Sequence, residues 1–375
     1  MIPRTSDRAV RRIAGRPLPK QTAAGPVKMR HRCEMHMKTP FIPILLAAAF
    51  CLSAGCSLSP GFSKSDYNYI MRGDRVLKNA KLRYAKLENA ELEEADLSNA
   101  DLGGANLKNA NLVGVNLRGA RLKGANLSGA RMNGANLSWA DIRGANLSEA
   151  NLSKARLVRV NMTGSRTADI RLKGAALGLS DLSGLRLREA NLNGSDMAGA
   201  IMNGIDLEEA DLGGADLGWA RLRKANLRRA VLAGAKMGHA DLTGASLVWA
   251  NIEGADLRNG CLRGTDLEGA RLKGADLGSA DLMGARLFQS GLEEARLQNA
   301  NLIGANLRDA RCAKANFQGA SLNGADLSDA DLSKANLENA DLSKANCRGA
   351  RIDKKWRKIL GTQGVLNYEE IVWID

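Results

Sequence analysis

The chain has 375 residues with a formal net charge of +14, and 45% of its residues are hydrophobic. Much of that charge lies in residues 1–40, which carry +8, whereas residues 71–350 carry only +5. The high net charge therefore does not by itself indicate a nucleic-acid partner for the larger part of the chain, and the six scattered Cys residues lack the spacing of a disulfide framework.

Residues 1–36 are polar, rich in Arg and free of aromatic residues. They are either an extension upstream of the true start or a basic arm that binds nucleic acid. The lack of aromatic residues and of any fold pattern favours the first interpretation. The candidate start residues are Met1, Met29, Met35 and Met37.

An apolar run follows at residues 41–54 and ends in small residues before Cys56. It is too short to span a bilayer comfortably but has the length of a signal-peptide core. The pattern resembles a bacterial lipoprotein signal, which implies that residues 37–55 are removed and that Cys56 is lipidated. In the usual pattern Leu stands three residues before the Cys, whereas Ser53 stands there in this chain. Ordinary signal cleavage nearby is therefore the alternative.

Residues 56–74 are predicted to form a polar tether and the amino-terminal cap of the repeat region that follows. Ser57, after the lipidated Cys, is consistent with sorting to the outer membrane. The side chains expected to cover the start of the repeats are Tyr67, Tyr69, Ile70 and Val76.

A five-residue repeat runs without insertion or deletion through residues 75–352. Numbers ending in 0 or 5 are mostly Ala, and numbers ending in 2 or 7 are mostly Leu; we call these the Ala position and the central position. This period fits neither an amphipathic helix nor a flat strand, whose periods are about 3.6 and 2.0 residues. Gly, Asn, Asp and Ser two residues after the Leu supply turns, so the pattern predicts a solenoid.

The motif Ala-(Asn/Asp)-Leu-x-x resembles the pentapeptide-repeat family. The resemblance implies an all-β fold, a right-handed quadrilateral parallel β-helix with four pentapeptides in each coil of about 20 residues. It also implies about 14 coils and, at a strand spacing of about 4.8 Å, a rod about 65 Å long. The best-known branch of the family protects DNA gyrase with a strongly acidic rod that mimics DNA. The charge of +5 over residues 71–350 does not match that branch.

Residues 20 apart are then expected to stack in columns. Side-chain amides are expected to bond along the column Asn106, Asn126 and Asn146. In another column Arg229 follows Glu209, and such pairs indicate a structural charge ladder, with an anion-binding patch as the alternative. Between residues 160 and 205 several Ala positions hold larger or polar residues, and there we expect a bend or a loosened coil.

A candidate interaction surface consists of Trp139, Trp219, His239 and Trp249. These residues stand two after the central position, where burial in the core does not explain them. Trp139, Trp219 and His239 share one column, and Trp249 lies on the opposite side. Exposed aromatic residues often anchor interfaces. The alternative is that these side chains only cover the backbone of the turns.

The repeats contain no motif typical of catalysis. His239 is the only His after residue 36 and has no clear partner for acid–base chemistry. Cys312 and Cys347 occupy central positions and are expected to pack as small hydrophobic residues, whereas Cys261 points outward. We therefore predict no catalytic residue, no metal site and no cofactor.

Residues 353–375 are predicted to form a carboxyl-terminal cap that begins with a short helix. Asp353 is the expected N-cap and Gly361 the expected stop. One face of this helix carries Trp356, Ile359 and Leu360, and the extended segment that follows is expected to cover the last coil with Ile371, Val372 and Trp373. An uncovered end would allow a homodimer through the solenoid ends.

Together these features predict a non-catalytic lipoprotein whose rigid rod, tethered to a bacterial membrane through Cys56, serves as a scaffold or protein-interaction surface. The expected location is the cell envelope, at the outer membrane or the periplasmic face, with an unidentified protein partner and no nucleic acid. Two alternatives are a cytoplasmic protein acting on a nucleic-acid enzyme such as DNA gyrase, and a soluble secreted binding factor.

Overall fold

A computed structural model describes residues 61–375. The predicted extension, the signal peptide and Cys56 lie outside the described residues. The named elements are helix α1 (Lys64–Met71), strand β1 (Asp331–Leu332), strand β2 (Arg351–Asp353), helix α2 (Arg357–Leu360) and strand β3 (Val372–Ile374). Between α1 and β2 the chain consists mainly of single-residue bridges separated by tight turns.

Parallel pairing joins residues 20 apart, from Val76 with Asp96 to Asn346 with Leu366. Most central N–H groups donate to a carbonyl 19 residues further on; the bond from Leu257 N to Asp276 O, for example, is 2.7 Å long. One coil therefore takes 20 residues and turns four times. The 20-residue coil that the resemblance to the pentapeptide-repeat family implies is confirmed by this register.

The turns depend on a left-handed backbone at numbers ending in 4 or 9, which we call the corner position. Gly254 has φ +62°, and the same region holds Asn109 with φ 56°. An L-residue with a side chain is strained in this region, whereas Gly adopts it freely and Asn tolerates it. The frequent Gly and Asn at the corner position are explained by this requirement.

The core is formed by the central and Ala positions, whose side chains face the axis of the stack. Phe317, Cys312 and Cys347 are fully buried at central positions, as predicted. Desolvation raises the pKa of the Cys347 thiol to about 12, so this thiol stays neutral at physiological pH. Cys261 lies at the surface, partly exposed, with its Sγ 3.2 Å from Thr243 Oγ1.

The predicted columns carry side-chain hydrogen bonds and ion pairs. Asn126 Nδ2 donates to Asn106 Oδ1 at 3.1 Å, and Asn146 Nδ2 donates to Asn126 Oδ1 at 3.3 Å. Arg229 Nη1 lies 3.1 Å from Glu209 Oε1. Both groups are well exposed, so each such pair contributes at most about 1 kcal/mol to stability.

The ladder opens between residues 163–173 and residues 182–192, where no backbone hydrogen bond joins the two coils of the described chain. Bridges are made on both sides of this gap, at Asn161 with Asp181 and at Ala176 with Asp196. The loosened coil expected between residues 160 and 205 is therefore confirmed. We call this opening the interruption.

Some residues of the interruption are smaller than the usual repeat residue at their position, and others are larger. Thr167 replaces the central Leu, and its Oγ1 donates to Arg186 O at 2.6 Å, the carbonyl that a regular central N–H would bond. Ile170 and Leu185 occupy Ala positions and are buried. Extra methyl groups in a space sized for Ala force neighbouring backbone apart, so these two side chains work against coil closure.

The amino-terminal end contains helix α1, which the sequence reasoning did not predict. Ser63 is its N-cap and accepts a 3.3 Å hydrogen bond from Asp66 N. Ile70 is buried against the core, but Tyr69 is 49% exposed and Val76 is 78% exposed. The expectation that Tyr69 and Val76 cover the start of the repeats is therefore wrong.

The carboxyl-terminal segment differs from the single helix predicted. A short 3₁₀ turn (Lys354–Trp356) precedes the four-residue α2, and Asp353 Oδ1 accepts from Lys334 N at 3.0 Å instead of capping the turn. Gly361 is the C-cap at which α2 ends, as predicted, whereas Ile359 is 45% exposed and does not have its predicted role.

Two side chains of this segment do pack onto the coils. Leu360 is 1% exposed, and Trp356 Nε1 donates to Ala335 O at 3.1 Å. Strand β3 extends the ladder by parallel pairing with β2. Within residues 61–375, no helix has the length and apolar character needed to cross a bilayer.

We expect Leu257→Ala to lower the free energy of unfolding by about 2–5 kcal/mol, because it leaves a cavity in a fully buried column. Met283→Ala is the control, since Met283 is 44% exposed and its loss should change stability by about 0.5 kcal/mol or less. Urea denaturation followed by circular dichroism measures both. Equal effects of the two variants would contradict this account of the core.

Under native conditions at neutral pH, we expect iodoacetamide to modify Cys261 and to leave Cys312 and Cys347 unmodified. Burial removes access to the two core thiols and also raises their pKa, which lowers the fraction of reactive thiolate. Peptide mass spectrometry before and after urea denaturation reports all three sites. Native labelling of Cys347 at the rate of Cys261 would show that the last coils are open.

Candidate functional site

The predicted aromatic residues occupy corner positions of the solenoid. Trp139, Trp219 and Trp249 have φ of 67°, 60° and 60°, the left-handed backbone that a bulky residue rarely adopts. Their side chains are 51%, 67% and 53% exposed. Each Trp thus stands where the backbone favours Gly or Asn and where water covers about half of the ring, so core packing does not account for it.

One column collects most of the exposed apolar surface. Trp219 and His239 stack with ring centroids 4.0 Å apart and an interplanar angle of 7°, as their spacing predicted. The Arg159 guanidinium lies over the Trp139 ring, 4.6 Å from its centroid. Leu179 is 52% exposed in the same column. We call the column Trp139, Arg159, Leu179, Gly199, Trp219 and His239 the aromatic stripe.

Trp249 lies apart from the aromatic stripe, in the column of the diagonally opposite corner. Its ring covers Gly269, where an added Cβ would lie 2.4 Å from the ring. Trp249 thus contacts turn backbone while its side chain stays 53% exposed, and its part in an interaction surface stays a prediction. The four predicted residues therefore divide into one column of three and one separate corner.

Charge is distributed unevenly along the coils. Residues 118–188 contain 13 Lys and Arg but four Asp and Glu, a net charge of +9, whereas residues 189–350 contain 18 and 22, a net charge of −4. In the second range many Arg residues pair with carboxylates, as in Arg263 with Asp281. The basic excess of the repeats therefore lies in one sector, which also contains the interruption.

A cavity of about 910 Å³ occupies the interruption. Its basic lining residues are Arg166, Arg171, Arg186 and Arg188, and its acidic ones are Asp169 and Glu189. Arg188 pairs with Glu208 at 2.8 Å. Within the part of the chain that the structure describes, the side chains of Arg166, Arg171 and Arg186 make no ion pair or hydrogen bond. The volume lies near the upper end of the range typical of ligand sites.

A smaller cavity of about 360 Å³ lies beside Trp139 and is lined by Arg121, Lys123 and Asp141, among others. Arg143 Nη2 lies 2.6 Å from Asp141 Oδ2 and holds the pKa of that carboxyl below its usual value. The floor consists of turn backbone and small side chains. Trp139, the first residue of the aromatic stripe, thus lies beside basic side chains of the same sector.

The arrangement offers no catalytic constellation. The imidazole of His239 stacks on Trp219, and no acid, base or nucleophile bonded to it is found among residues 61–375. The same residues contain no cluster of three or more His, Cys, Asp or Glu side chains able to hold a metal ion. The surface instead provides exposed apolar area in the aromatic stripe and unpaired Arg side chains at the interruption.

Sequence reasoning identified the aromatic residues and the region of the loosened coil, but it missed three features. It did not connect Arg159 and Leu179 with the Trp residues, although their 20-residue spacing could have done so. It did not divide the charge of the repeats into sectors. It also gave no sign that the larger residues near 170 and 185 leave unpaired backbone groups.

Comparison with known families supports the repeat assignment. The family described as pentapeptide repeats, an eight-copy profile, matches overlapping segments between residues 76 and 354. Residues 167–176, which are not matched, overlap the interruption. Among curated protein sequences, none matches the chain.

Similar solved structures come from several organisms. HetL, a pentapeptide repeat protein involved in heterocyst differentiation regulation from the cyanobacterium Nostoc sp. strain PCC 7120, is 33% identical; the match covers 60% of this chain and 88% of HetL, with a TM-score of 0.34. Rfr23 from the cyanobacterium Cyanothece 51142 is 30% identical, with coverage of 36% and 67% and a TM-score of 0.22. QnrB1, a plasmid-mediated fluoroquinolone resistance protein, is 22% identical, with coverage of 50% and 90% and a TM-score of 0.35.

The unbroken five-residue register and its parallel pairing at 20-residue intervals agree with the family match, which extends over more than half of the sequence. The chain belongs to the pentapeptide-repeat family.

Proposed function

We propose that this protein is a non-catalytic scaffold of the bacterial cell envelope, tethered to a membrane through a lipid on Cys56. In this proposal about 14 coils form a rigid rod, residues 353–375 close its carboxyl-terminal end, and the aromatic stripe binds a protein partner. The observation that carries the binding role is the stack of Trp219 on His239, both at the surface of one corner column.

The energetic cost of placing Trp at exposed corner positions supports a binding role for the aromatic stripe. A bulky residue at a left-handed corner is strained relative to Gly, so Trp139 and Trp219 do not improve the local backbone. Their rings leave much apolar surface in water, and buried aromatic anchors dominate the energetics of many interfaces. Across the five coil steps from Trp139 to His239 the stripe extends about 24 Å, enough for a continuous contact line.

The sequence before the solenoid supports the tether. The apolar run at residues 41–54 ends in Ala-Gly-Cys, the type of site at which a lipoprotein precursor is cleaved. In this proposal the polar residues that follow Cys56 connect the lipid anchor to helix α1. The proposed location, at the outer membrane or the periplasmic face, depends on the same signal sequence.

Membership of the pentapeptide-repeat family supports a scaffold rather than an enzyme. The mixed charge of the repeats, +9 in one sector and −4 in the next, supports a protein partner over the DNA mimicry of strongly acidic relatives. Strand β3 is the last strand of its sheet, so pairing between two copies through their ends is a further part of this proposal.

Expression of the full chain in a bacterial host should yield a mature protein that begins at Cys56 and carries a diacylglyceryl group. We expect it in the membrane fraction, whereas Cys56→Ala should be left unprocessed or shifted to another fraction. Mass spectrometry of the amino-terminal peptide gives the result. Cys51→Ala is the matched control and should behave as the native chain. A soluble protein that retains residues 37–55 would exclude the tether.

Replacing both Trp139 and Trp219 by Ala should leave the unfolding midpoint nearly unchanged, because both rings are at least half exposed. We expect the double variant to lose specific adducts when it is cross-linked in isolated envelope membranes. Trp249→Ala is the control for a lone corner Trp and should retain the adducts. If the double variant loses stability and keeps its adducts, the stripe only covers turns.

A further inference from the structure

We propose that the interruption is a β-strand addition site for a short, acidic, extended segment of a partner protein. The segment would displace the hydrogen bond from Thr167 Oγ1 to Arg186 O, move the coil of residues 163–173 further from the coil of residues 182–192, and bond to both. This inference is independent of the tether and of the aromatic stripe, because it rests on another part of the surface.

The unpaired backbone groups define the first requirement for the ligand. Among residues 61–375, the N–H groups that lose their regular ladder partner at the interruption are those of Gly164, Thr167, Asp169, Leu172, Arg186 and Asn191. The carbonyls opposite them lose donors in turn. Because donors and acceptors alternate along both edges, the ligand must offer both at ladder spacing, as an extended peptide does.

One side of the coil provides a complete set for a short strand. Thr167 N and Arg186 N are free to donate, Ser165 O is free to accept, and Arg186 O accepts only the hydroxyl of Thr167. Once the guest displaces that hydroxyl, Arg186 O can accept a peptide N–H instead. Two or three residues of a guest strand could therefore make four backbone hydrogen bonds.

The charges define the second requirement. Arg166 and Arg186 are 20 residues apart, so they occupy the same column on opposite sides of the cavity, and neither is paired within the described chain. Like charges directly opposite each other in neighbouring strands are destabilising. Elsewhere a column places a carboxylate beside Arg, as in Arg286 with Asp266 at 3.5 Å. An acidic guest residue between Arg166 and Arg186 would restore that pattern.

The core side sets the third requirement. A guest side chain that points toward the core would lie between Thr167 and Leu187. Thr167 is smaller than the Leu that usually occupies the central position, so it leaves room for that side chain. The guest therefore needs an acidic residue followed by an apolar residue, the order of the repeat itself. Asp169 and Glu189 stand at the corner beyond this side, so they favour a guest that ends or turns away before reaching them.

The occupant is not the amino-terminal segment of the same chain. Residues 1–60 contain two acidic residues: Asp7 is followed by Arg8, and Glu34, although followed by the apolar Met35, lies close to Arg30, Arg32 and Lys38 in the sequence. Residues 1–40 also carry +8, which the unpaired Arg side chains would repel. The chemistry of the site points to a separate polypeptide with an exposed acidic-apolar strand.

The test uses the full chain and the labelled peptide Ser-Ala-Asp-Leu-Ser-Gly, with binding followed by fluorescence anisotropy and by hydrogen exchange. We expect fast exchange at Thr167, Leu172 and Arg186 in the free protein, and slower exchange at Thr167 and Arg186 when the peptide is bound. The same peptide with N-methyl groups on Asp and Leu, and one with Asn in place of Asp, should each bind at least tenfold more weakly.

A variant that restores the repeat provides the matched control. Thr167→Leu combined with Ile170→Ala and Leu185→Ala should close the ladder, protect the same amides without peptide and abolish peptide binding. Arg186→Asp is the second variant if the triple variant does not fold. It should close the column through an ion pair with Arg166 and should weaken peptide binding at least tenfold.

Four results would overturn the proposal. The first is protection of the Thr167 and Arg186 amides in the free protein, which would mean that the ladder is closed in solution. The second is equal binding of the N-methylated peptide, which would leave only charge attraction. The third is no binding of the acidic peptide at 1 mM, on the order of the weakest affinities that count as specific. The fourth is amide protection that rises with protein concentration alone, which would assign the site to self-association.

Discussion

The structure depends on one constraint, the stacking of each residue on the residue 20 positions further along the chain. Backbone bonds such as Leu257 N to Asp276 O fix this register, and the buried Leu and Ala columns lie inside it. A pentapeptide cannot bury its own apolar side chains, so stability comes from contact between neighbouring coils. One inserted residue would move every later side chain out of its column, which explains a repeat that continues without insertion from residue 75 to residue 352.

Because the backbone is so uniform, the specific features of this protein are departures from the repeat. Asn columns and Arg–carboxylate pairs support the stack and can be exchanged for one another at small cost. Bulky residues at left-handed corners and the open ladder near Thr167 reduce local stability instead. Such departures are expected where a surface serves a function that the coil itself does not require. The aromatic stripe and the interruption are the two clearest examples.

Much of this arrangement could be predicted from the sequence, since a strict period converts residue number directly into position. The amide bonds from Asn106 to Asn146 and the stack of Trp219 on His239 were predicted from spacing, with the 20-residue coil taken from the family resemblance. Helix α1 and the exposure of Ile359 were not, because the ends lie outside the period and depend on how single side chains meet the last coils. The unpaired backbone at the interruption was also missed, since it results from the combined volume of Thr167 and its neighbours rather than from any one residue.

The division of charge along the coils gives the described stack an electric dipole. Residues 118–188 carry +9 and residues 189–350 carry −4, so the positive pole lies in the coils closer to Cys56 in the sequence. If the chain is tethered there, that pole faces the anionic headgroups of a bilayer, which attract basic surfaces within about one Debye length, roughly 8 Å at physiological salt. The acidic coils of residues 189–350 are repelled by the same headgroups, so the dipole favours a stack that stands on its basic coils over one that lies along the membrane surface.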